Sequence, residues 1–319
     1  MSLIRVGIVG TGYAAQRRAE AFGADGRSPL IAVSGYRESS TTSFAKQYGI
    51  ETVLDWRKLV GREDIDLVVV CNINREHGAI ARAALEAGKH VVVEYPLALE
   101  PETAAKLIRL ANRKGLLLHV EHIELLGALH KKIREYLPQL GQIFYARYIT
   151  LARKRHALPH WTYHHGDYGF PLIAALSRVN RLINLFGEVL QVTGEANFQA
   201  ADLNGYYHSC LCTAQLKFQG GTVGHLIYGK GTSVIKGDRR FTIYGDRGTL
   251  EFLGNQGTFT QGKTVETIEL GSRKGVFKQD TIAVLDYLIN EKPIYIQPEQ
   301  SLYALQIADQ IRQSANRSR

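Results

Sequence analysis

A glycine-rich segment near the amino terminus is the first part of this chain with a clear chemical use. Gly10–Ala15 has the form G-x-G-x-x-A and follows the apolar segment Val6–Val9. In this pattern the first glycine permits a tight turn, the second lets the backbone approach a pyrophosphate, and the small last residue lets helix and strand pack closely. Because the following helix would offer free N–H groups to an anion, we predict a dinucleotide site. Its predicted contacts are Gly10, Gly12, Tyr13, Ala14 and Ala15; a glycine turn without a ligand is the alternative.

The end of the next apolar segment indicates which dinucleotide binds. Leu30–Ser34 continues into Gly35, Tyr36 and Arg37, so the position where NAD sites usually carry an acidic residue has none. Ser34 and Arg37 instead suit a 2′-phosphate, to which an arginine makes charge-assisted hydrogen bonds. We therefore predict NADPH as the cofactor and NADH as a weaker alternative; a solvated loop arginine is the other interpretation of Arg37.

Three polar residues follow a later apolar segment, Leu67–Cys71. Ligands of open α/β sheets bind at the carboxyl ends of the strands, so we predict that Asn72, Asn74 and His77 line the nicotinamide ribose. Asn74 is equally suited to cap the next helix.

The pattern of apolar residues places these segments in a repeating arrangement. Over the first 122 residues, short continuous apolar runs alternate with amphipathic stretches, which predicts a doubly wound parallel sheet. Longer strand-like segments follow, with a helix over Pro171–Phe186 and two more near Thr281–Asn290 and Glu299–Ser314. We therefore predict an α/β protein with an NADP-binding Rossmann domain at 1–124. A substrate-binding α/β domain with an antiparallel sheet is predicted at 125–319.

The composition of the chain limits the kinds of partner that we expect it to bind. No apolar run of the 319 residues is long enough to span a bilayer and no signal peptide opens the chain, so we expect a cytoplasmic protein without a membrane partner. The three cysteines form neither an even disulfide set nor a zinc pattern, and we predict no metal.

The net charge is +9, and residues 147–181 hold six Lys/Arg, four histidines and one acid, a set that suits phosphates or carboxylates. No nucleic-acid-binding motif accompanies it, so no nucleic-acid partner is predicted, and the oligomeric state is unknown.

Several of these stretches resemble the glucose–fructose oxidoreductase / inositol dehydrogenase family. The resemblance covers essentially the whole chain and is carried by Gly10–Ala15, by Ala87–Pro96, which contains Glu94-Tyr95-Pro96, and by Asp280–Tyr287. It implies a Rossmann domain, with Glu94 at the cofactor, followed by an α/β domain with a large, open, mainly antiparallel sheet.

The chain departs from this family at the residues that oxidise sugars. Those members use the lysine of Glu-Lys-Pro, together with an aspartate and a histidine four apart on a helix of the second domain. Here the corresponding positions are Tyr95, Ala174 and Arg178. Alcohol oxidation needs a group that takes the hydroxyl proton, and neither alanine nor a protonated arginine does so. The departures therefore disfavour sugar oxidation.

A narrower resemblance is to the biliverdin reductases of this family. It is carried by Val93–Leu97, His119–Leu126 and Trp161–His165, and the longer runs Gly10–Glu20 and Tyr168–Arg178 resemble the cyanobacterial members in particular. It implies reduction of the central methine bridge of biliverdin IXα by NADPH, giving bilirubin. A sugar or cyclitol dehydrogenase with relocated catalytic groups and a non-enzymatic NADP(H)-binding sensor are the alternatives.

A flat tetrapyrrole with two propionates needs aromatic faces and cations. Arg178 takes the place of the family's histidine, on the helix facing the nicotinamide, and we expect it to stabilise negative charge on the pyrroles. Tyr95 is the second candidate catalytic residue; water, Tyr95 or His122 is the candidate proton donor. The predicted substrate contacts are Tyr95, His122, Trp161, Tyr163, Phe170, Arg178 and Arg181.

Overall fold

The structure is a computed structural model, and it describes residues 3–154, 159–200, 202–271 and 275–317. By internal contacts the chain divides into a first unit, Met1–Ile123 with Gly275–Tyr303, and a second unit, Glu124–Lys274 with Ala304–Arg319. Within the described segments, no helix has the length and apolar character needed to cross a membrane.

The strands of the described segments are short in the first half of the chain and longer in the second. They are β1 Val6–Val9, β2 Leu30–Ser34, β3 Glu51–Thr52, β4 Leu67–Val70, β5 His90–Val93, β6 Leu118–Val120, β7 Ile143–Arg153, β8 Val189–Gln199, β9 Ser209–Phe218, β10 Val223–Gly231, β11 Asp238–Gly245, β12 Thr249–Leu253, β13 Gln256–Gln261 and β14 Thr264–Glu269.

The α-helices of the same segments lie between these strands and close the chain. They are α1 Tyr13–Gly23, α2 Glu38–Tyr48, α3 Trp56–Val60, α4 Asn74–Glu86, α5 Pro101–Lys114, α6 Ala128–Tyr136, α7 His165–Tyr168, α8 Pro171–Ala174, α9 Ser177–Phe186, α10 Val276–Asn290 and α11 Pro298–Arg317. Short 3₁₀ helices cover Ile123–Leu125, Leu137–Leu140 and Trp161–Tyr163.

The first unit is built on a parallel sheet with strand order β3-β2-β1-β4-β5-β6. All four residues of β1 and of β4 are buried, as expected for strands covered on both faces. The order reverses at β1 and β4, where open α/β sheets bind ligands. The predicted Rossmann fold is confirmed.

Part of the carboxyl-terminal region completes this first core. Val284 and Leu285 of α10 pack with Ile294 in the cluster that contains Val6 and Ile8. The predicted second domain, 125–319, is therefore not one continuous piece in the structure. The apolar face of α10 indicates a buried helix, but the sequence pattern does not say which sheet buries it.

The second unit is built on an eight-stranded sheet with order β14-β13-β12-β11-β7-β10-β9-β8. Its pairs are antiparallel except β7 with β10, which run parallel. The prediction of a large, mainly antiparallel sheet is confirmed.

Side-chain alternation separates this sheet into two faces, and it divides the basic stretch of residues 147–181. The guanidinium of Arg181 lies 5.8 Å from the ring centre of Tyr148. Arg147, one residue earlier on β7, therefore points to the opposite face. Arg155 and His156 of the same stretch lie outside the described residues. The stretch is thus not a single cationic surface.

The helix predicted over Pro171–Phe186 is interrupted, and this correction affects the site. Helix α8 ends at Ala174, Ala175 leaves the helical conformation, and α9 begins at Ser177. The Ala-Ala-Leu-Ser sequence contains no helix breaker, and these residues are buried. Tertiary packing, rather than a local signal, therefore causes the break. Ala174 and Arg178 do not share one continuous helix.

Candidate functional site

The glycine-rich loop has the backbone geometry that a pyrophosphate site needs. Gly10 has φ +123°, and a Cβ there would lie 2.4 Å from the carbonyl oxygen of Cys71. Its N–H donates to the carbonyl of Ser34 at 2.7 Å. Gly12 precedes α1 without a side-chain cap, and the space next to its Cα is open. The first N–H groups of α1 are therefore available to an anion, and the loop fits a dinucleotide phosphate.

The three residues that follow have different environments. Ala15 is fully buried and packs in the core of the first unit, which lets α1 lie close to the sheet. Ala14 is half-buried. The side chain of Tyr13 is 71% exposed, with its ring 6.4 Å from that of Phe277. Of the three, Tyr13 is the side chain that a bound molecule can reach.

The two residues proposed for the 2′-phosphate, Ser34 and Arg37, have different environments at the end of β2. Ser34 is buried and accepts from Gly10, so it shapes the turn and does not present its hydroxyl at the surface. Arg37 is exposed beside a fully exposed Tyr36. Its carbonyl accepts from the Thr41 hydroxyl at 2.8 Å, which fixes the backbone while the guanidinium reaches into solvent. Arg37 and Ser34 both stay predictions for the 2′-phosphate, Arg37 from an exposed position and Ser34 from a buried one.

The residues after β4 form a supporting cluster. The nitrogens of the His77 ring lie 2.8 Å from the carbonyl oxygen of Pro96 and 3.1 Å from that of Asn72, and His77 is buried. Burial lowers the pKa of His77. The Asn72 amide donates to Glu76 at 2.8 Å. Asn74 is buried as the first residue of α4, and the cap position is Ile73. His77 thus ties two loops together, and its contact with the cofactor stays a prediction.

Glu94 belongs to a buried charge cluster. Arg18, fully buried on α1, donates to Glu94 at 3.0 Å and to Asp280 of α10. Asp280 also lies 2.7 Å from His119 and accepts from Tyr295 at 2.6 Å. Burial opposes ionisation of Asp280, but Arg18 and His119 outweigh it and hold its pKa well below the usual value.

Tyr95 rests on a histidine. The rings of Tyr95 and His122 stack at 5.4 Å with 15° between their planes. His122 is buried, its Nε2 lies 2.9 Å from the Ser301 hydroxyl, and its backbone N–H donates to Tyr295. The structure therefore places His122 behind the half-buried Tyr95 ring, as a support and not as a surface contact. The cluster around Asp280 reaches this support through Tyr295.

Arg178 projects from the first turn of α9 next to a tyrosine pair. It is half-buried, donates to the Ser177 hydroxyl at 2.9 Å, and lies 5.4 Å from the ring centre of Tyr228. The Tyr228 and Tyr168 hydroxyls are 3.1 Å apart. This arrangement fixes the direction of a permanent positive charge.

Arg181, one turn further, is directed inward. It is only 3% exposed, and it donates to the carbonyl of Glu124 at 3.3 Å while facing the Tyr148 ring. The predicted substrate contact at Arg181 thus falls on a buried group, because the helical face that carries it packs on the sheet.

The aromatic residues before α8 surround a lysine that the sequence had not singled out. Trp161 and Phe170 are half-buried, and the Trp161 ring lies 5.9 Å from that of Tyr168. Tyr163 is buried, with the ammonium of Lys230 at 4.6 Å from its ring centre. Trp161 and Phe170 are therefore the accessible members of the predicted set in this segment. Among the described residues, no three His, Cys, Asp or Glu side chains gather as a metal site.

Family models match both halves of the chain. An oxidoreductase family with an NAD-binding Rossmann fold matches residues 4–122, and the C-terminal alpha/beta domain of the oxidoreductase family matches residues 136–319. The chain belongs to this oxidoreductase family. The glycine-rich loop lies within the part of the chain that matches the NAD-binding Rossmann fold.

Within the oxidoreductase family the similarity to biliverdin reductases extends over the full length. The solved structure of biliverdin reductase from Synechocystis sp. PCC 6803, in complex with biliverdin and NADP⁺, is 51% identical with a TM-score of 0.96, covering 98% of this chain and 99% of that one. Biliverdin reductase A of Mus musculus is 26% identical over 97% of this chain and 95% of its own length. A sugar-nucleotide relative, dTDP-3,4-didehydro-2,6-dideoxy-alpha-D-glucose 3-reductase of Saccharopolyspora spinosa, is 30% identical over 71% of this chain and 68% of its own.

Proposed function

We propose that this protein is an NADPH-dependent biliverdin reductase that converts biliverdin IXα to bilirubin. The observation that carries the proposal is the 51% identity, over nearly all of both chains, to the Synechocystis biliverdin reductase. The site agrees, because Ala174 and Arg178 stand where the sugar-oxidising members have an aspartate and a histidine, and neither accepts a proton from an alcohol. Reduction of a conjugated pigment has no such requirement.

Different groups of the chain bind different parts of the cofactor. The N–H groups at the start of α1 bind the pyrophosphate, and Arg37 binds the 2′-phosphate that distinguishes NADPH from NADH. When bound, NADPH supplies a hydride from nicotinamide C4 to the central methine carbon of the pigment. One proton from water is added to a pyrrole nitrogen, so that the products are bilirubin and NADP⁺.

Arg178 acts electrostatically in this proposal. Negative charge develops on the pyrroles as the hydride arrives, and a fixed guanidinium stabilises that charge more than it stabilises the neutral ground state. Its pKa, above about 12, makes the side chain a poor acid. Tyr95, supported by His122, and the accessible rings of Trp161 and Phe170 offer flat faces to the pigment.

One assay tests the activity against both alternatives. The purified protein is mixed with NADPH and biliverdin, and the absorbance change from green biliverdin to yellow bilirubin is followed. We expect turnover with NADPH and slower turnover with NADH. Reduction of NADP⁺ by a member of a polyol panel, without bilirubin formation, would establish a sugar dehydrogenase instead. Binding of NADPH and pigment without any turnover would establish a sensor.

A further inference from the structure

Lys230 is a buried cation on the inward face of the second sheet. It follows Leu226 and Tyr228 at alternate positions of β10, and only 6% of it is exposed. Among the described residues, no carboxylate forms an ion pair with its ammonium. A charge buried in this way is costly unless other groups compensate for it. The compensation comes from one backbone carbonyl and two aromatic rings.

These compensating groups all belong to one stretch of chain, Trp161–Tyr168, here called the aromatic segment. The ammonium donates to the carbonyl of Thr162. It lies 3.5 Å from the ring centre of Tyr168 and 4.6 Å from that of Tyr163. Aromatic faces attract cations, most strongly where water is excluded. One ammonium therefore holds the 3₁₀ helix at the start of the segment and the tyrosine at its end.

Tyr168 is also connected to Arg178, through Tyr228. The Tyr168 hydroxyl is hydrogen-bonded to the Tyr228 hydroxyl at 3.1 Å, and the guanidinium of Arg178 lies over the Tyr228 ring. Tyr228 and Lys230 are two residues apart on β10, so the strand fixes their spacing. Lys230, the tyrosine pair and Arg178 thus form a continuous series of contacts within the second unit.

We propose that Lys230 is a positioning residue, which holds the aromatic segment and, through Tyr168 and Tyr228, the ring against which Arg178 is oriented. This inference rests on the proposed function, since it takes Trp161 and Arg178 as pigment contacts. Lys230 touches neither cofactor nor reacting atoms; its contribution is the geometry of the groups that do.

Because the ammonium of Lys230 can lose its proton, the proposal predicts that the KM for biliverdin depends on pH. Burial lowers the pKa of Lys230 to about 8, and the groups facing it include Lys154, His160, Cys210 and the two tyrosine rings. Below that pH the ammonium attracts the rings and the carbonyl; above it, the neutral amine loses the attraction to the rings. The KM for biliverdin is therefore expected to rise as the pH passes 8.

Kinetics of three variants test the role in turnover. Lys230→Met is expected to lower kcat/KM for biliverdin by about 30-fold, the equivalent of one desolvated cation–π contact, with NADPH affinity unchanged. Lys230→Arg, whose charge persists, should retain more activity and should lose the alkaline rise in KM. Lys217→Met, at an exposed position of β9, is the matched control and should behave as the wild type. Wild-type kinetics in Lys230→Met would overturn the proposal.

A second readout does not depend on catalysis. In a Trp56→Phe background, where Trp161 is the remaining tryptophan, its fluorescence is titrated without pigment. We expect an emission change with a midpoint near pH 8 that is absent in Lys230→Arg. If wild-type protein does not reduce biliverdin but shows this change, the proposed function fails and the positioning role stands. An emission profile unaffected by Lys230→Arg overturns the positioning role itself.

Discussion

Arg178 is the residue on which the proposed reaction depends most directly. Its guanidinium is held by the Ser177 hydroxyl and lies against the Tyr228 ring, so both the charge and its direction are fixed before substrate binds. A preorganised charge of this kind needs no reorganisation when negative charge develops. Its loss should therefore affect kcat far more than the binding of either ligand.

Arg178→Ala tests this role. We expect kcat for biliverdin reduction to fall by about two to three powers of ten, as for removal of an oxyanion-hole donor, with the Kd for NADPH unchanged. Stopped-flow kinetics and NADPH fluorescence titration measure the two quantities. Arg134→Ala, an exposed arginine of α6, is the control. A variant with near-wild-type kcat would remove Arg178 from the catalytic residues.

Arg37 is expected to decide between the two nicotinamide cofactors. Its exposed guanidinium suits the 2′-phosphate, and a charge-assisted hydrogen bond contributes about 1.5–3 kcal/mol. Arg37→Gln should therefore raise the KM for NADPH by about 10- to 100-fold and leave that for NADH unchanged. Arg57→Gln serves as the control, because that side chain is also exposed and lies in the first unit. Equal effects on NADPH and NADH would contradict the assignment.

Single residues differ in how far the sequence predicts them. Gly10 was predictable because only glycine tolerates φ +123° against the Cys71 carbonyl. His77 and His122 were expected at ligands, but each is used inside the protein, since a polar residue after a strand can turn either way. Lys230 gave a weak signal: it occupies an inward position of an alternating strand, where a lysine needs a special partner.

Among the elements, α10 connects the end of the chain to the first core through a charge as well as through apolar side chains. Asp280 on this helix is fully buried against Arg18 of α1. Removing one partner of a buried pair leaves an uncompensated charge, which is more costly than losing an exposed pair. The attachment of α10 to the first core should therefore be sensitive to the replacement of one carboxylate oxygen of Asp280 by an amide nitrogen.

Asp280→Asn compared with Asp286→Asn tests that attachment on one helix. Asp280→Asn should lower the free energy of unfolding by about 3–5 kcal/mol, because Arg18 loses a buried counter-charge. Asp286 pairs with Arg27 and Lys292 at 21% side-chain exposure, where water screens the charges, so its substitution should cost clearly less than that of Asp280. Urea unfolding followed by circular dichroism measures both. Similar losses in the two variants would mean that burial of Asp280 adds nothing.

The elements were predictable where apolar periodicity was strong. The parallel strands and long helices of the first unit were expected from continuous valine-rich runs and glycine stops, and the structure has them. The hairpin of β13 and β14 was not, since only two of its residues, Phe259 and Ile268, are buried hydrophobics; Val265 is exposed, and the remainder is polar or glycine. The break between α8 and α9 escaped detection for a different reason, because packing imposes it on residues that all favour a helix.

At the scale of the whole molecule, the buried histidines make stability depend on pH. Burial and then the charge of Arg181 lower the pKa of His130 to about 4, and burial lowers that of His77. Both are protonated more readily in the unfolded chain, where the pKa of histidine is about 6.5. Such a depressed folded pKa contributes stability above pH 6.5, and this stability is lost as the pH falls toward the folded value.

We therefore expect the protein to lose stability between pH 6.5 and 4, before most of its carboxylates are protonated. His130 lies 3.0 Å from the Asn184 side-chain oxygen and is 2% exposed, so a neutral replacement that keeps a donor isolates its share. His130→Gln should reduce the loss between pH 7 and 4.5 by about 2–3 kcal/mol, measured by urea unfolding at each pH. His208→Gln, at an exposed position, should keep the wild-type dependence. If both variants keep it, protonation of His130 does not limit acid stability, and His77, whose pKa is also lowered by burial, becomes the group that does.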